Sequence, residues 1–345
     1  MTIKDLAKHC GVSVSTVSRV LNNKPDVSEA VRETVQRAVE ELHYVPNSTA
    51  RELVMPAPDA VGLVARGDSN QFYTEIISNI EHSLRLAGYS LVIETLKHGE
   101  DELWAGAALA RSKRLRGLIF LGGCFDYSEE NAARLGVPFV CCTYTNHFGS
   151  LKRESYSSVT IDDVKAGHDA AEMLIKRGHK RIAVVLSTVD DRSISELRYM
   201  GCRRALEENG IEFDPSLVLE AGEYSMADAK SIAKKALSAG LDFTAVFAVS
   251  DSLAIAVMKA LHEGGKRVPE DVSVVGIDGM EMSAYTIPAL CTYSQPVHEL
   301  GCRSAEIIVD MIEGRGESKH MLLEPEFIEG ESVFRFDEKG SEKDD

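Results

Sequence analysis

Four side chains in a short helix near the start of the chain are suited to contact DNA. In the stretch "GVSVSTVSRVLN", residues 11–22, Ser15, Thr16, Ser18 and Arg19 lie off the apolar face of the helix or at its margin. Hydroxyl groups bond bases or phosphates, and an arginine side chain forks onto O6 and N7 of guanine in the major groove. The combination favours reading of a DNA sequence, although an ordinary solvated helix face carries the same residue types.

The segments around this stretch predict a helix-turn-helix. Thr2 and Asp5 fit a capping box for a first helix, which Gly11 ends. Ser13 can cap the second helix and Ser28 a third. Three short helices with a tight turn between the first two are the helix-turn-helix pattern. Their apolar faces consist of Ile3, Leu6, Ala7 and Cys10, then Val14, Val17, Val20 and Leu21, then Val31, Val35, Ala38 and Leu42.

Two aspartates further along the chain stand where a ligand would bind in an α/β fold. Asp251 directly follows the apolar run "FTAVFAVS", and Asp278 ends the run "VSVVGID". Ligands of such folds lie beyond the carboxyl ends of parallel strands. An aspartate at this position is also often a turn or cap residue, so the pattern alone leaves both interpretations open.

From residue 60 onward, short runs rich in valine, isoleucine and leucine alternate with amphipathic helices such as "FYTEIISNIEHSLRLAG" and "SLAIAVMKALHEGG". This alternation predicts an α/β fold with parallel sheets covered by helices on both faces, and the length predicts two doubly wound subdomains. We expect a helix-turn-helix domain at 1–45, a short helix and linker at 46–58, an α/β domain at 59–335 and a disordered tail at 336–345. Within the α/β domain we expect an N-subdomain at about 59–160 and 293–322 and a C-subdomain at about 161–292 and 323–335.

Charge and composition exclude several classes of protein. The net charge is -16, yet residues 1–58 carry seven basic and seven acidic side chains, so the whole excess lies in the later domain. Within residues 1–24, Lys4, Lys8, Arg19 and Lys24 stand against Asp5 alone. Such a locally basic end on an acidic body suits DNA binding, because the acidic body suppresses non-specific association. The seven cysteines form no C-x-x-C motif, which argues against a disulfide framework or a zinc site. No apolar run has the length of a membrane span and the start has no signal-peptide core, so we expect a cytoplasmic protein without a cofactor or metal.

Three stretches together resemble the lactose/galactose repressor (LacI/GalR) family of bacterial transcription regulators over nearly the whole chain. They are "TIKDLAKHCGVSVSTVSRVLN", "VSEAVRETVQRAVEELHYVPNSTARELV" and "RVPEDVSVVGIDG". The resemblance implies a periplasmic-binding-protein-like effector domain, a second helix that enters the major groove, and a hinge helix from Asn47 to Leu53 that lies in the minor groove. Leu53 then acts as a wedge that unstacks one base step. The implied DNA contacts are Val14, Ser15, Thr16, Ser18, Arg19, Asn47, Ala50, Arg51 and Leu53.

The resemblance also implies that a small effector binds between the two subdomains. Arginine, aspartate and aromatic walls are suited to a polyhydroxylated ring, because carboxylates accept from hydroxyls, guanidinium donates, and rings cover the apolar face. We therefore expect a sugar or glycoside, with a purine or another non-sugar effector as the alternative. The implied effector contacts are Phe72, Tyr73, Arg192, Arg198, Tyr224, Asp251 and Asp278.

Some positions depart from the family pattern. Gly279 follows Asp278 where Asp or Asn is frequent, and Val54 and Met55 follow the hinge leucine where a basic residue is frequent. The stretch "TNHFGSLKRESY", residues 145–156, is longer than the usual connection.

Two rival functions fit the sequence less well. A dinucleotide-dependent enzyme would need a G-x-G-x-x-G after a strand, and none is present. An extracytoplasmic sugar-binding protein shares the effector fold but not the DNA-reading helices. We therefore predict a DNA-binding repressor, not an enzyme, that binds a palindromic operator as a homodimer.

Overall fold

The chain folds as two units, residues 1–58 and residues 59–345. The computed structural model describes residues 3–21, 27–42, 59–67, 71–97, 99–124, 126–222 and 225–334. Within these ranges no helix is long and apolar enough to cross a membrane.

The first unit contains three short helices around a small apolar core. They are α1 (Ile3–Cys10), α2 (Val14–Leu21) and α3 (Glu29–Glu41). Leu6, Val17 and Val35 have no exposed surface and hold the three helices together. The Thr16 amide donates to Ser13 Oγ over 3.1 Å, which confirms the predicted cap of the second helix.

The second unit begins with a six-stranded sheet, sheet 1. Its strands are β1 (Ala60–Arg66), β2 (Ser90–Leu96), β3 (Gly117–Leu121), β4 (Phe139–Cys142), β5 (Ser157–Ile161) and β11 (His320–Leu323). The spatial order is β2–β1–β3–β4–β5–β11, and every pair is parallel. The helices of this subdomain are α4 (Phe72–Leu86), α5 (Glu102–Lys113), α6 (Glu129–Ala133) and α11 (Val297–Ile312).

A second six-stranded sheet, sheet 2, has the same winding. Its strands are β6 (Ile182–Leu186), β7 (Val218–Glu220), β8 (Ala245–Ala248), β9 (Ser273–Asp278), β10 (Cys291–Ser294) and β12 (Glu326–Ile328). The order is β7–β6–β8–β9–β10–β12, and only β12 is antiparallel to its neighbour. The helices of this subdomain are α7 (Asp163–Lys176), α8 (Ile194–Glu208), α9 (Met226–Ser238) and α10 (Asp251–Glu263). Short 3-10 helices lie at Pro215–Leu217 and Glu281–Tyr285, and a third, Arg153–Ser155, precedes β5 in the sheet 1 subdomain.

The central strands explain why the apolar runs of the sequence do not alternate with polar residues. All residues of β3, β6 and β9 are buried, because helices cover both faces of each sheet. The predicted fold class, two doubly wound α/β subdomains after a helix-turn-helix, is confirmed.

The chain passes three times between the subdomains, after β5, after β10 and after β11. Each passage leaves the carboxyl end of a strand, so the carboxyl edges of both sheets adjoin one another, and we call the space between them the cleft. The passages lie one to two residues later than the predicted boundaries at 160, 292 and 322, because strand pairing continues as far as Ile161, Ser294 and Leu323. In both sheets the strand order reverses at the first strand, which is where doubly wound folds bind ligands.

Candidate DNA-reading helix and effector cleft

Helix α2 presents its polar side outward. Val17 and Val20 are buried against α1 and α3, which turns the opposite side away from the core. Val14 was predicted on the apolar face, but 41% of it is exposed, so an apolar side chain is displayed beside the hydroxyls. Ser13 Oγ lies 2.8 Å from Ser15 Oγ and 2.8 Å from Thr16 Oγ1. The predicted base contacts that this side presents, exposed or half-exposed, are Val14, Ser15, Thr16, Ser18 and Arg19.

Some predicted contacts lie outside the described residues. They are Asn47, Ala50, Arg51 and Leu53 of the hinge segment, and Tyr224 of the effector set.

In the cleft, Arg198 stands between two aspartates and is buried with them. Its Nε donates to Asp163 Oδ1 over 2.8 Å, and its Nη1 donates to Asp278 Oδ1 over 3.2 Å and to the Val249 carbonyl over 2.6 Å. Only 1% of Arg198 is exposed. Asp163 begins α7 directly after the first passage between subdomains, and Asp278 ends β9, so one guanidinium joins a helix start to a strand end.

Two glycines allow the close helix crossing that brings Arg198 to this position. A Cβ on Gly167 of α7 would lie 2.0 Å from the Arg198 carbonyl oxygen, and a Cβ on Gly201 of α8 would lie 1.9 Å from the Val164 carbonyl oxygen. No residue with a Cβ atom fits at either position, because real Cβ atoms lie at least 3.0 Å from their neighbours. The two backbones therefore touch, and the Arg198 side chain reaches Asp163 from the adjacent helix.

Burial dominates the ionisation of both aspartates. It raises the pKa of Asp278 to about 7, with Arg198 opposing the rise and Asp251 adding to it. It raises the pKa of Asp163 to about 6, and again Arg198 opposes the rise. Two buried carboxylates share one cation, so the cluster holds a proton more readily than two solvated aspartates would.

The backbone at Asp278 is held in an unusual conformation. Asp278 has φ 140°, and Gly279 follows with φ 73°. A Cβ on Gly279 would lie 2.2 Å from Ser294 Oγ, so the departure from the family's usual Asp or Asn has a steric reason. Gln295, in the second passage between subdomains, donates its Nε2 to Asp278 Oδ1 over 2.9 Å and its amide to the Asp278 carbonyl over 3.0 Å.

Asp251, predicted as a ligand contact, accepts hydrogen bonds from groups of the protein itself. It has no exposed surface. Its Oδ1 accepts from Thr292 Oγ1 over 2.6 Å, and its Oδ2 accepts from Ser283 Oγ over 2.7 Å and from the Met280 amide over 2.9 Å. These bonds fix the loop after Asp278, so Asp251 acts on the cleft through that loop, and its complete burial keeps it from the cleft surface.

Phe72 and Tyr73 begin α4 and belong to the core of sheet 1. They are 7% and 8% exposed, with ring centroids 5.9 Å apart. The Tyr73 hydroxyl lies against Gly122 at the end of β3, where φ is 63° and a Cβ would be 2.1 Å away. The structure brings both rings to the strand ends of sheet 1 but exposes little of either face.

Arg192 lies in the loop between β6 and α8 and reaches the other subdomain. Its Nη1 is 3.0 Å from Asp126 Oδ2, in the loop after β3. Its position at a strand end agrees with the predicted cleft location, and its side chain contacts a protein carboxylate.

A buried polar network beneath the cleft was missed by the sequence analysis. Glu102 pairs with Arg66, and its Oε1 accepts from the Cys124 amide and from the Tyr127 hydroxyl, each over 2.7 Å. The Tyr127 and Tyr144 hydroxyls are 2.7 Å apart, and burial raises the pKa of both. The sequence did contain a signal for this network. Arg66 ends the first apolar run, and polar residues at the carboxyl ends of parallel strands are candidates for a functional site, as for Asp278.

The long connection at 145–156 is a structured brace for this network. Asn146 accepts from the Tyr127 amide over 2.6 Å and donates to the Tyr127 carbonyl over 3.0 Å. Glu129 accepts from the Lys152 amide over 2.8 Å and from Ser155 Oγ. The extra residues therefore hold the loop that carries Tyr127.

One group on the surface of α7 has the composition of a metal site. His168, Asp169 and Glu172 offer ligand atoms within 4.8 Å of one another. His168 Nε2 already contacts Glu208 at 2.9 Å and Asp169 pairs with Lys165 at 2.7 Å, so we assign no metal to these residues.

Comparison with known proteins gives matches in both units. Residues 2–47 match the model described as bacterial regulatory proteins, lacI family, and residues 171–333 match the periplasmic binding protein-like domain. The regulator MalR of Clostridium butyricum is 36% identical over 97% of this chain and 99% of its own length. The repressor PurR of Vibrio atlanticus is 31% identical over 96% of this chain and 98% of its own length.

Solved structures match along the same length. A transcriptional regulator CelR–cellobiose complex is 30% identical, with a TM-score of 0.70 over 96% of this chain and 99% of that chain. The lac repressor dimer bound to operator and the anti-inducer ONPF is 26% identical, with a TM-score of 0.71 over the same shares.

Proposed function

The chain belongs to the lacI family of bacterial regulatory proteins, and we propose that it is a repressor whose binding to its operator is set by an uncharged sugar in the cleft. It is a DNA-binding transcriptional regulator, not an enzyme. The observation that carries the proposed ligand class is Arg198 held between Asp163 and Asp278 at the carboxyl edge of sheet 2.

This cluster suits hydroxyl groups. Asp278 is 4% exposed, and burial strengthens any hydrogen bond that its carboxylate accepts from a sugar hydroxyl. Arg198 donates to Asp278 over 3.2 Å and so holds that carboxylate in place for the ring. The cellobiose complex of a 30% identical regulator supports a sugar as the ligand class.

The charge balance at the strand ends opposes an anionic ligand. Among the described residues of the Arg198 and Glu102 networks and of the loops beside them, three arginines lie with six carboxylates, so a phosphorylated sugar would meet more negative than positive charge, whereas a neutral sugar would not. The groups are Arg66, Arg192 and Arg198, and Glu102, Asp126, Asp163, Asp191, Asp251 and Asp278.

A purine is the second candidate effector. It is supported by the relatives named PurR, at 31% identity. Stacking of a base requires an open aromatic face, and Phe72 and Tyr73 expose as little surface as Asp278 does, so burial alone does not separate the two ligand classes. The hydrogen-bonding chemistry of Arg198 and Asp278 is what favours a sugar.

For DNA, we propose that α2 reads the major groove through Val14, Ser15, Thr16, Ser18 and Arg19. The hinge residues Asn47, Ala50, Arg51 and Leu53 then contact the minor groove. One such helix reads only a few base pairs, so a homodimer on an inverted repeat is required for specificity. Because its operator is chromosomal DNA, the protein would act in the cytoplasm.

Calorimetric titration of the full-length protein with cellobiose, maltose, lactose, ribose, hypoxanthine and guanine tests the ligand class. We expect a sugar to bind and to lower operator affinity about 5- to 150-fold. Binding of a purine and of no sugar would refute the sugar assignment, and binding of the operator unchanged by every bound ligand would refute the regulatory role of the cleft.

Selection of binding sites from a random DNA library tests the reading helix. We expect an inverted repeat, and we expect Arg19→Ala to relax specificity at one base pair in each half-site, at a cost of roughly 1–3 kcal/mol. Arg37→Ala on the exposed side of α3 is the matched control, because it removes the same charge from a helix that is not proposed to contact base edges. An Arg19→Ala protein with unaltered sequence preference would contradict the proposed contact.

A further inference from the structure

We propose that the ion pair between Asp126 and Arg192 is a latch that holds the two subdomains closed on each other across the cleft. Asp126 follows β3 of sheet 1, and Arg192 follows β6 of sheet 2. Arg192 Nη1 and Asp126 Oδ2 are 3.0 Å apart. The pair therefore joins two loops that separate whenever one subdomain turns away from the other.

The loop that carries Arg192 is built to aim it. Arg192 has a left-handed backbone with φ 50°, which costs free energy for a residue with a Cβ. Its amide donates to Glu196 Oε2 over 2.9 Å. Asp191 accepts from the Ser193 amide over 3.0 Å and from the Ser187 hydroxyl. These bonds fix the loop from both ends, so the direction of the Arg192 side chain is set before it meets Asp126.

An apolar seam lies beside the ion pair. Leu197, in the first turn of α8, is 6% exposed and packs in the same core cluster as Tyr127 and Tyr144 of the other subdomain. Ile194 and Val164 pack against that cluster as well. Opening the cleft therefore breaks the ion pair and exposes part of this seam together.

The strength of the pair suits an adjustable latch. Arg192 and Asp126 are 61% and 37% exposed, and exposed ion pairs contribute little and are screened by salt. A contribution of this size changes the ratio of closed to open protein about two- to fivefold. Its regulatory meaning rests on the proposed effector cleft, whereas the latch itself is a property of the protein without ligand.

The chain contains a natural reporter of opening. Cys124 is half-buried two residues before Asp126. Burial raises the pKa of its thiol to about 11, with Glu102, Asp126 and Asp191 adding to the rise and Arg66 opposing it. Since Asp191 belongs to the opposite subdomain, the thiol lies where the two loops meet, and it becomes more accessible when they part.

The test is the rate at which N-ethylmaleimide, a neutral thiol reagent, alkylates Cys124 in the full-length protein without ligand or DNA, read by peptide mass spectrometry. The variants are Arg192→Lys, Arg192→Gln and Arg192→Glu. The latch predicts a rate near wild type for the lysine variant, about two- to fivefold faster for glutamine, and fastest for glutamate. It also predicts that wild type and Arg192→Gln converge at about 0.5 M salt.

Direct electrostatics predicts the opposite order, which makes the result decisive. Removing a cation near Asp126 raises the pKa of the thiol and slows its reaction, and a glutamate slows it further. An unchanged or slower rate in Arg192→Gln overturns the proposal. So does an equal acceleration at Cys302, on α11, because that indicates general loosening. A failed sugar screen leaves this measurement unaffected, so the two proposals fail separately.

Discussion

At the scale of single residues, the cleft depends on one arginine that serves two acids. Arg198 neutralises part of the charge of Asp163 and Asp278, while Gln295 donates to the Asp278 oxygen that also accepts from Arg198. A ligand hydroxyl at this site would enter a network whose members are already oriented. The network begins at Asp163, beside the first passage between the subdomains, and ends at Gln295, in the second passage. Binding of a ligand to the network would therefore affect the segments about which the subdomains turn.

Asp278→Asn tests the proposed acceptor. The variant keeps the shape of the side chain but removes the charge that attracts hydroxyl protons, so we expect the affinity for the sugar found in the screen to fall roughly 10- to 100-fold. Ligand-free operator binding should stay unchanged, because the DNA contacts are in the other unit. Titration calorimetry and a gel-shift assay measure the two quantities. Equal sugar affinity in wild type and variant would remove Asp278 from the site.

The raised pKa of Asp278 predicts that the stability of the folded protein depends on pH. The folded protein raises the pKa of Asp278 from its ordinary 3.8 to about 7, so between these values the folded state binds more protons than the unfolded chain. Stability therefore falls as pH rises through this window and is level above it, with Asp163 acting in the same direction up to about pH 6.

Chemical unfolding at several pH values between about 5 and 8 measures this effect. Asp278→Asn should show a smaller fall in unfolding free energy with rising pH than wild type does. Asp190→Asn, at an exposed position of the neighbouring loop, is the control and should follow wild type. A variant at Asp278 with the wild-type slope would show that this carboxyl does not titrate in the window.

At the scale of elements, the site depends on the crossing of α7 and α8. Gly167 and Gly201 let the two helix backbones meet, and this contact sets the distance between Arg198 and Asp163. Loops position other side chains of the two networks. The brace at 145–156 positions Tyr127, and the loop after Asp278 is held by Asp251.

Gly167→Ala should disturb the cleft without touching a ligand. Its new methyl group would meet the Arg198 carbonyl, so the helices must separate, and we expect the unfolding free energy to drop by about 1–3 kcal/mol together with weaker sugar binding. Gly316→Ala is the matched control, because its nearest neighbour would be the flexible Lys319 side chain at 3.6 Å. Denaturant unfolding compares them, and equal stability of the two variants would contradict the close crossing.

At the scale of the whole molecule, the proposed latch and the proposed effector site require that the two subdomains, which are joined by three passages, adopt two arrangements. A ligand shifts the balance between them only through its different affinity for each. The latch at Asp126 and Arg192 and the hydroxyl site at Arg198 and Asp278 lie at the same carboxyl edges, so both act on one equilibrium.

We expect the protein to be a homodimer. A single α2 cannot specify an operator, and a 26% identical relative was solved as a dimer on DNA. The described residues after α11, up to residue 334, form β11 and β12, and no heptad repeat that could join two dimers lies among them. Sedimentation velocity at micromolar concentration should give one species of twice the chain mass. A stable tetramer would contradict this expectation, and a monomer would contradict the proposed operator symmetry.

The sequence by itself determined the parts of this protein that depend on local pattern. Helical spacing, caps and the serine and arginine residues of α2 predicted the helix-turn-helix, because three short helices need only neighbouring residues to define their faces. Buried apolar runs alternating with helices predicted two doubly wound sheets. The positions of Asp251 and Asp278 at strand ends also followed from the sequence, since the end of an apolar run is a local property.

Only the tertiary structure decided what those side chains do. Asp251 and Asp278 look alike in the sequence, yet one carboxylate accepts from Thr292, Ser283 and Met280 while the other accepts from Arg198. Glu102 is an ordinary acidic residue at a helix start until folding brings Arg66 and Tyr127 to it. Contacts between residues 25 to 80 positions apart are set by how helices and sheets pack, and no local pattern encodes the atoms that meet there.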